Sequence, residues 1–88
     1  MAYVHAGGGR LIFSPDIIGI FDMDSATVSG TTKDFLNKSQ SEGRLILLTH
    51  ELPKSFILTG DDMVTLSELM SVTVAARTKS ASAGNYEY

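Results

Sequence analysis

The chain has 88 residues, of which 43% are hydrophobic and none is cysteine, and its formal net charge is −3. A domain of this size buries only about 60 to 65% of the surface that its unfolded chain exposes, and the absence of cysteine excludes disulfides and thiolate zinc sites as extra support. The negative charge disfavours nonspecific attraction to phosphate backbones. We therefore expect one small domain that gains further burial by self-association.

The N-terminal third of the chain predicts three short strands. Residues 4–13 form two strands around Gly7-Gly8-Gly9, because three glycines supply the positive φ angles of a tight reversal. A phosphate-binding glycine loop would instead need a helix after the glycines, and here a strand follows. Residues 14–16 are typical of a turn, and the apolar, β-branched residues 17–21 predict a buried strand.

The centre of the chain predicts one helix, over residues 31–42. Thr31 or Thr32 is the expected cap, and Gly43 stands where a glycine commonly ends a helix. Phe35 and Leu36 are its only large apolar residues, so this helix buries a narrow stripe.

The C-terminal half predicts a meander of three antiparallel strands over residues 45–49, 55–59 and 63–66. Residues 51–54 form the loop of its first hairpin. A short helix over residues 67–77, with Ser67 as cap, is weakened by the β-branched run at residues 72–74. Residues 79–88 are small and polar and are typical of a disordered tail. The predicted domain therefore covers residues 1–77, followed by a tail over residues 78–88.

Together these elements predict the α+β class: a small, mainly antiparallel β-sheet domain with residues 31–42 as its only substantial helix and a possible short C-terminal helix. No apolar run is long enough to cross a membrane, and no basic flank precedes an apolar stretch at the N-terminus. We therefore expect neither a membrane span nor a signal peptide, and a cytoplasmic location.

One set of residues imitates a phosphotransfer enzyme of the haloacid-dehalogenase type. In chain order, the set is Asp22, Asp24, Thr49, Lys54, Asp61 and Asp62. Carboxylates with Mg²⁺ could neutralise a transferring phosphoryl group. That fold, however, needs parallel strands joined by long crossovers, and the predicted antiparallel hairpin places the residues at opposite strand ends. We expect no enzyme activity.

No other cofactor or ligand is predicted. His5 and His50 lie far apart in the sequence, and neither has a second ligand at metal-binding spacing. No serine, histidine and acid grouping indicates a nucleophile. We therefore expect no catalytic residue, no metal, no cofactor and no small-molecule substrate.

Two blocks of sequence, IGIFDMD at residues 18–24 and ELPKSFILT at residues 51–59, are separated by one helix-sized segment. With YVHAGGG at residues 3–9, and with Phe35, Leu36 and Gly43, they resemble the RemA/RemB family of bacterial extracellular-matrix regulators, the RemB branch above all. The resemblance covers roughly residues 3–77. It implies a small β-rich fold with an inserted helix, assembly into closed rings, and a role in transcription of biofilm-matrix genes.

The family resemblance also implies where DNA would bind. RemA carries a DNA-contacting arginine pair in the loop between the two strands after the helix, and this chain has Leu52-Pro53 there, followed by Lys54. Arg10, Arg44 and Arg77 are the other candidates for phosphate contact. An oligomeric scaffold or interaction module of the same family that does not bind DNA is the alternative. The expected interface positions are Leu11, Phe13, Leu69 and Met70, with the core as the alternative place for them.

Overall fold

The computed structural model describes residues 3–26 and 29–84 and contains a four-stranded sheet that is covered on both faces. The strands are β1 (Tyr3–His5), β2 (Leu11–Phe13), β3 (Ile17–Asp22), β4 (Leu45–Leu47), β5 (Ser55–Thr59) and β6 (Val64–Ser67). The α-helices are α1 (Met23–Ala26), α2 (Gly30–Ser41) and α3 (Ser71–Gly84), and a single 3₁₀ turn spans Ser14–Asp16. The predicted α+β class is confirmed.

The first two strands form a separate antiparallel hairpin, in which Tyr3 pairs with Phe13 and His5 with Leu11. Its turn contains three consecutive glycines with φ of 100°, 56° and 75°, which is the left-handed region that disfavours other residues. The predicted glycine turn is therefore confirmed.

The four-stranded sheet has the order β3-β5-β6-β4, and this corrects the predicted meander. Strands β3 and β6 both pair with β5 in antiparallel fashion, but β4 pairs with β6 and runs parallel to it, with Leu45 opposite Val64. The predicted hairpin between residues 45–49 and 55–59 is therefore wrong. Only the turn from β5 to β6 makes a hairpin within this sheet.

The burial of the strands explains this order. Four of the five residues of β5 and all four of β6 are buried, so these strands occupy the centre of the sheet. Strand β4 has an exposed end at Leu47 and suits an edge. The loop over residues 48–54 is longer than a tight turn, and it carries the chain from β4 past β6 to the position of β5.

Helix α2 begins and ends one residue before the predicted helix, and Gly43 follows with φ of +72°. Its apolar residues Phe35 and Leu36 pack against one face of the sheet, where Phe56 belongs to the buried cluster. A narrow apolar stripe on this helix is thus enough to cover that face.

The opposite face of the sheet is covered by the β1–β2 hairpin and by α3. The cluster between them is apolar and buried: Val4, Ala6, Ile12, Ile57 and Val74. Ser67 anchors the hairpin here, since its hydroxyl donates to the carbonyl of Ala6 and accepts the backbone N–H of Leu69 at 3.0 Å.

The C-terminal helix corrects three predictions. Ser67 is the last residue of β6 and not a helix cap, and α3 begins at Ser71. This helix is longer than α2, so residues 31–42 do not form the only substantial helix. It also continues to Gly84, so the expected disordered tail is helical over residues 78–84, and residues 85–88 lie outside the described part of the chain.

Strand β3 is an edge strand and is only partly buried, which corrects the prediction of a buried strand. Its register with β5 shifts between Ile17 and Gly19, and the intervening Ile18 is 65% exposed. Phe21 lies close to Gly19 and stacks on Phe56 with ring centroids 4.9 Å apart. The bulge thus turns one large apolar side chain outward.

The glycine turn yields a stability prediction. A Cβ atom on Gly8 would lie 2.6 Å from the carbonyl oxygen of Leu48, whereas one on Gly9 would meet nothing within 4 Å. Both positions have positive φ, so both substitutions add backbone strain, but only Gly8→Ala also collides with backbone. We expect Gly8→Ala to lower the free energy of unfolding by about 2 kcal/mol or more and Gly9→Ala by about 1 kcal/mol. Urea unfolding at one protein concentration measures both, and equal losses would contradict the contact with Leu48.

Candidate functional site

Arg10 ends the glycine turn, where its backbone N–H donates to the carbonyl of Gly7 at 2.9 Å. Its side chain is exposed and forms no ion pair or hydrogen bond with the described residues. Its positive charge nevertheless acts on Asp61, in the turn between β5 and β6. Arg10 therefore faces a carboxylate, which weakens the positive potential that it can offer to a phosphate.

Asp61 has a pKa below its ordinary value. The main cause is a hydrogen bond from the Thr59 hydroxyl at 2.5 Å, followed by the backbone N–H of Met63 at 3.2 Å. Arg10 adds a smaller electrostatic contribution in the same direction. These contacts fix the Asp61 carboxylate at the start of β6.

Arg44 is held by three neighbours next to the same turn. Its Nε donates to Glu42 at 2.9 Å, its Nη1 donates to the carbonyl of Asp62 at 2.7 Å, and its guanidinium lies 6.0 Å from the centre of the Phe35 ring. These contacts tie α2, the β5–β6 turn and the start of β4 together. Much of the hydrogen-bonding capacity of Arg44 is thus used within the domain.

Lys54 lies at the opposite end of the sheet, just before β5. Its backbone is fixed, because its N–H donates to the carbonyl of Ser67 at 2.8 Å and its carbonyl accepts the N–H of Met23 at 3.0 Å. The side chain is exposed, and its ammonium has no ion-pair partner among the described residues. Lys54 therefore presents a free positive charge from a rigid backbone.

Arg77 lies on α3 and extends towards the β1–β2 hairpin. Its Nη1 donates to the carbonyl of His5 at 3.1 Å. The predicted basic residues are therefore distributed over the domain: Arg10 and Arg44 near the β5–β6 turn, Lys54 at the other end of the sheet, and Arg77 beside β1. The fold does not bring them into one patch.

The residues that imitate a phosphotransfer enzyme are divided between the two ends of β5. Asp22 pairs with Ser55, whereas Asp61 follows Thr59 at the other end of β5, about 13 Å away at 3.3 Å per residue. The expected separation is correct, although the predicted hairpin on which it rested is wrong. Within residues 3–26 and 29–84, no group of three His, Cys, Asp or Glu side chains could hold a metal ion.

Residues 3–78 match the family model described as RemA-like, extracellular matrix regulatory protein A-like. The match begins at β1, includes the whole sheet and α2, and ends within α3. The chain belongs to the RemA-like family. Among the curated proteins, no sequence matches it.

This RemA-like chain has several exposed apolar side chains that no sequence motif indicated. The side chain of Ile18, in the bulge of β3, is 65% exposed, and that of Leu47, on the edge strand β4, is 60% exposed. Leu52, in the loop before β5, is 88% exposed. Leu52 stands where the family resemblance implies a DNA-contacting arginine. The sequence indicates the exposure of Leu52 only through its position in a predicted loop, because residue type alone does not show whether a leucine is exposed. No helix in the described ranges is long and apolar enough to cross a membrane.

The Asp61 contacts yield a prediction about pH. Thr59→Val keeps the shape of a buried side chain but removes the hydroxyl that lowers the Asp61 pKa most. We expect the Asp61 pKa to rise towards its ordinary value in this variant. A depressed carboxyl pKa stabilises the fold above the unfolded-state pKa, and that contribution disappears as pH falls through the lower folded-state pKa. Thr59→Val should therefore lose this contribution at neutral pH.

Carboxyl carbon NMR titration of Asp61 measures the shift directly. Thr78→Val is the matched control, because the Thr78 hydroxyl bonds the carbonyl of Val74 on α3 and does not contact Asp61. An unchanged Asp61 pKa in Thr59→Val would show that the hydroxyl contact does not operate in solution.

Proposed function

We propose that the protein is a cytoplasmic DNA-binding transcriptional regulator of extracellular-matrix genes, of the RemB branch, and that it acts as a homo-oligomeric ring. The observation that carries this proposal is the family match over residues 3–78. A compact domain with no single basic patch suits a mechanism in which many copies each contribute one or two weak contacts. Repetition around a ring then raises the overall affinity without any strong individual site.

The exposed apolar side chains support self-association. Leu11 and Phe13 share the outer face of the hairpin with Tyr3, and the rings of Tyr3 and Phe13 lie 5.2 Å apart. Met70 is also exposed, whereas Leu69 is half-buried and packs against the core cluster. We therefore retain Leu11, Phe13 and Met70 as interface positions. Leu69 is better explained by the core.

Phosphate contact would come chiefly from Lys54, with Arg10 assisting. Lys54 has a fixed backbone and an unpaired ammonium, and it lies in the loop where the family resemblance implies DNA contact. Arg77 contributes less to phosphate contact, because its Nη1 donates to the carbonyl of His5. Arg44 contributes least, because its guanidinium is held by Glu42 and Asp62. Such contacts would read DNA shape and curvature more than base edges.

The alternative is an oligomeric scaffold that does not bind DNA. Two observations favour it: Leu52 and Pro53 occupy the loop position of the family's arginine pair, and Arg10 faces the carboxylate of Asp61. An exposed leucine at that loop suits contact with another protein surface better than contact with phosphate. The DNA titration below distinguishes the two functions.

Self-association can be tested at the hairpin face. We expect the wild-type protein to have a mass several times the 9.5 kDa of one chain at micromolar concentration in light scattering. Leu11→Thr introduces a residue that favours strands and removes exposed apolar area, so the fraction of assembled protein should fall. Val72→Thr, at an exposed position on α3, is the control and should leave the mass unchanged. A monomeric wild type would end the ring proposal.

DNA binding can be tested by titrating duplex DNA at two salt concentrations with protein of known oligomeric state. Each lost phosphate contact should flatten the log–log salt dependence by about 0.9. We expect Arg10→Ala with Lys54→Ala to weaken binding and to flatten this slope while the oligomer persists. Lys33→Ala with Lys38→Ala removes the same charge from the exposed side of α2 and should change binding much less. Wild-type protein that fails to bind at low salt would support the scaffold function.

A further inference from the structure

A polar cavity of about 230 Å³ lies between the β1–β2 hairpin and the sheet, beside the β5–β6 turn. Arg10, Asp16 and Asp61 supply its charged groups, and Thr59 and Thr65 supply hydroxyls. The apolar part of its wall comes from β2 and β4, with Phe13 at the rim and Ile46 on the sheet. Most sites for drug-sized ligands are larger, about 300 Å³ or more, so this cavity suits a molecule of a few heavy atoms.

Thr65 is the most informative residue of the cavity. It is 2% exposed, and its hydroxyl has no hydrogen-bond partner in the described protein. No fully enclosed side-chain oxygen of the described residues lacks a partner. The small exposed part of Thr65 therefore includes its hydroxyl, which is reached from the cavity that this residue lines. A hydroxyl kept almost buried without a protein partner favours a ligand that completes its hydrogen bonding.

The charged groups of the cavity also lack full partners. Arg10 makes no ion pair, and the Asp16 carboxylate makes no hydrogen bond with the described residues, although the Asp16 carbonyl accepts the N–H of Gly60 at 2.8 Å. The hydrogen bonds from the Thr59 hydroxyl and the Met63 N–H to the Asp61 carboxylate both reach Oδ1, and neither uses Oδ2. One cation and two carboxylates thus face one small space without neutralising one another by direct contact.

We propose that this cavity binds an α-amino acid with an apolar side chain. The ligand carboxylate pairs with the Arg10 guanidinium, and the ligand ammonium pairs with Asp61 Oδ2 and Asp16. The Thr65 hydroxyl forms a hydrogen bond with the ligand carboxylate or with the ligand ammonium. The ligand side chain packs against Ile12 and Ile46. Charge complementarity selects a zwitterion, because a molecule with only one of its charges leaves the opposite protein group unpaired and repels the other.

Other ligands of similar size fit the charges less well. Inorganic phosphate would meet Arg10 but also two carboxylates, which oppose an anion. A bare divalent cation would meet only two carboxylates and the repulsion of Arg10. The site shares Arg10 with the proposed DNA surface. Its test nevertheless requires no DNA, and Lys54, the principal DNA candidate, lies at the other end of the sheet.

The test measures the binding of leucine to the 88-residue chain by isothermal calorimetry and by amide NMR. We expect saturable binding, with shifts confined to the hairpin, the β5–β6 turn and β6. Leucinamide lacks the carboxylate and N-acetylleucine lacks the ammonium, so each should bind at least about tenfold more weakly. If leucine, isoleucine, valine and methionine all fail to bind at millimolar concentration, or if either blocked analogue binds as tightly as leucine, the proposal is wrong.

Variants separate the site from its surroundings. Asp61→Asn retains Oδ1, and thus the bonds from Thr59 and Met63, but removes the charge that holds the ammonium. It should weaken leucine binding by at least about tenfold, as should Arg10→Gln. Asp62→Asn is the matched control, because it makes the same charge change one residue away and outside the cavity lining. Equal losses in Asp61→Asn and Asp62→Asn would overturn the site, and the amide spectrum of each variant shows whether the fold is retained.

Discussion

The two central strands of the sheet, β5 and β6, impose the constraint on which the rest of this domain depends. They pair with each other, and nearly all of their residues are buried, so both faces of the sheet must be covered and both outer edges must be occupied. The hairpin with α3 covers one face, and α2 covers the other. Strands β3 and β4 occupy the edges. Ser67 connects the central strands to the covering hairpin. It is the last residue of β6, and its hydroxyl donates a hydrogen bond to the carbonyl of Ala6.

The same arrangement determines which side chains remain available for function. The edge strands retain exposed apolar residues, such as Ile18 and Leu47, that the small domain cannot enclose by itself. Several charged residues lie near the β5–β6 turn. Among them, Arg44 uses much of its hydrogen-bonding capacity on Glu42 and Asp62 within the domain. The available features include the unpaired ammonium of Lys54, an apolar outer surface and a small polar cavity. Such a surface supports the proposal that the protein acts through assembly and weak repeated contacts more than through one strong site.

The sequence predicted the local features of the fold well, because their causes lie within a few residues. Three adjacent glycines require a reversal, and Gly43 ends α2 close to the predicted position. The pairing of β4 with β6 could not be predicted in the same way, since alternation along a strand does not identify its neighbour. The length of α3 was underestimated because the β-branched residues near its start outweighed the alanines that follow, although alanine is the strongest helix former.

The candidate site was predicted less completely, for a related physical reason. Basic residues can be counted in a sequence, but their free charge depends on contacts with distant residues. Arg44 reaches the carbonyl of Asp62, and Arg77 reaches the carbonyl of His5 across almost the whole chain. The polar cavity likewise joins Arg10 to Asp61 and Thr65, which share no local motif. Only the fold could bring these groups together.

Hydrogen exchange measured residue by residue tests the central claim about the sheet most directly. If β5 and β6 form its centre, their amides and that of Leu48, which donates to the carbonyl of Leu66, should exchange only through global unfolding. Amides of β3 and β4 that face away from the sheet should exchange much faster in the isolated protomer. Protection that is strongest in β4 with β5, and weak in β6, would show that the strands pair as a simple meander and would contradict this account.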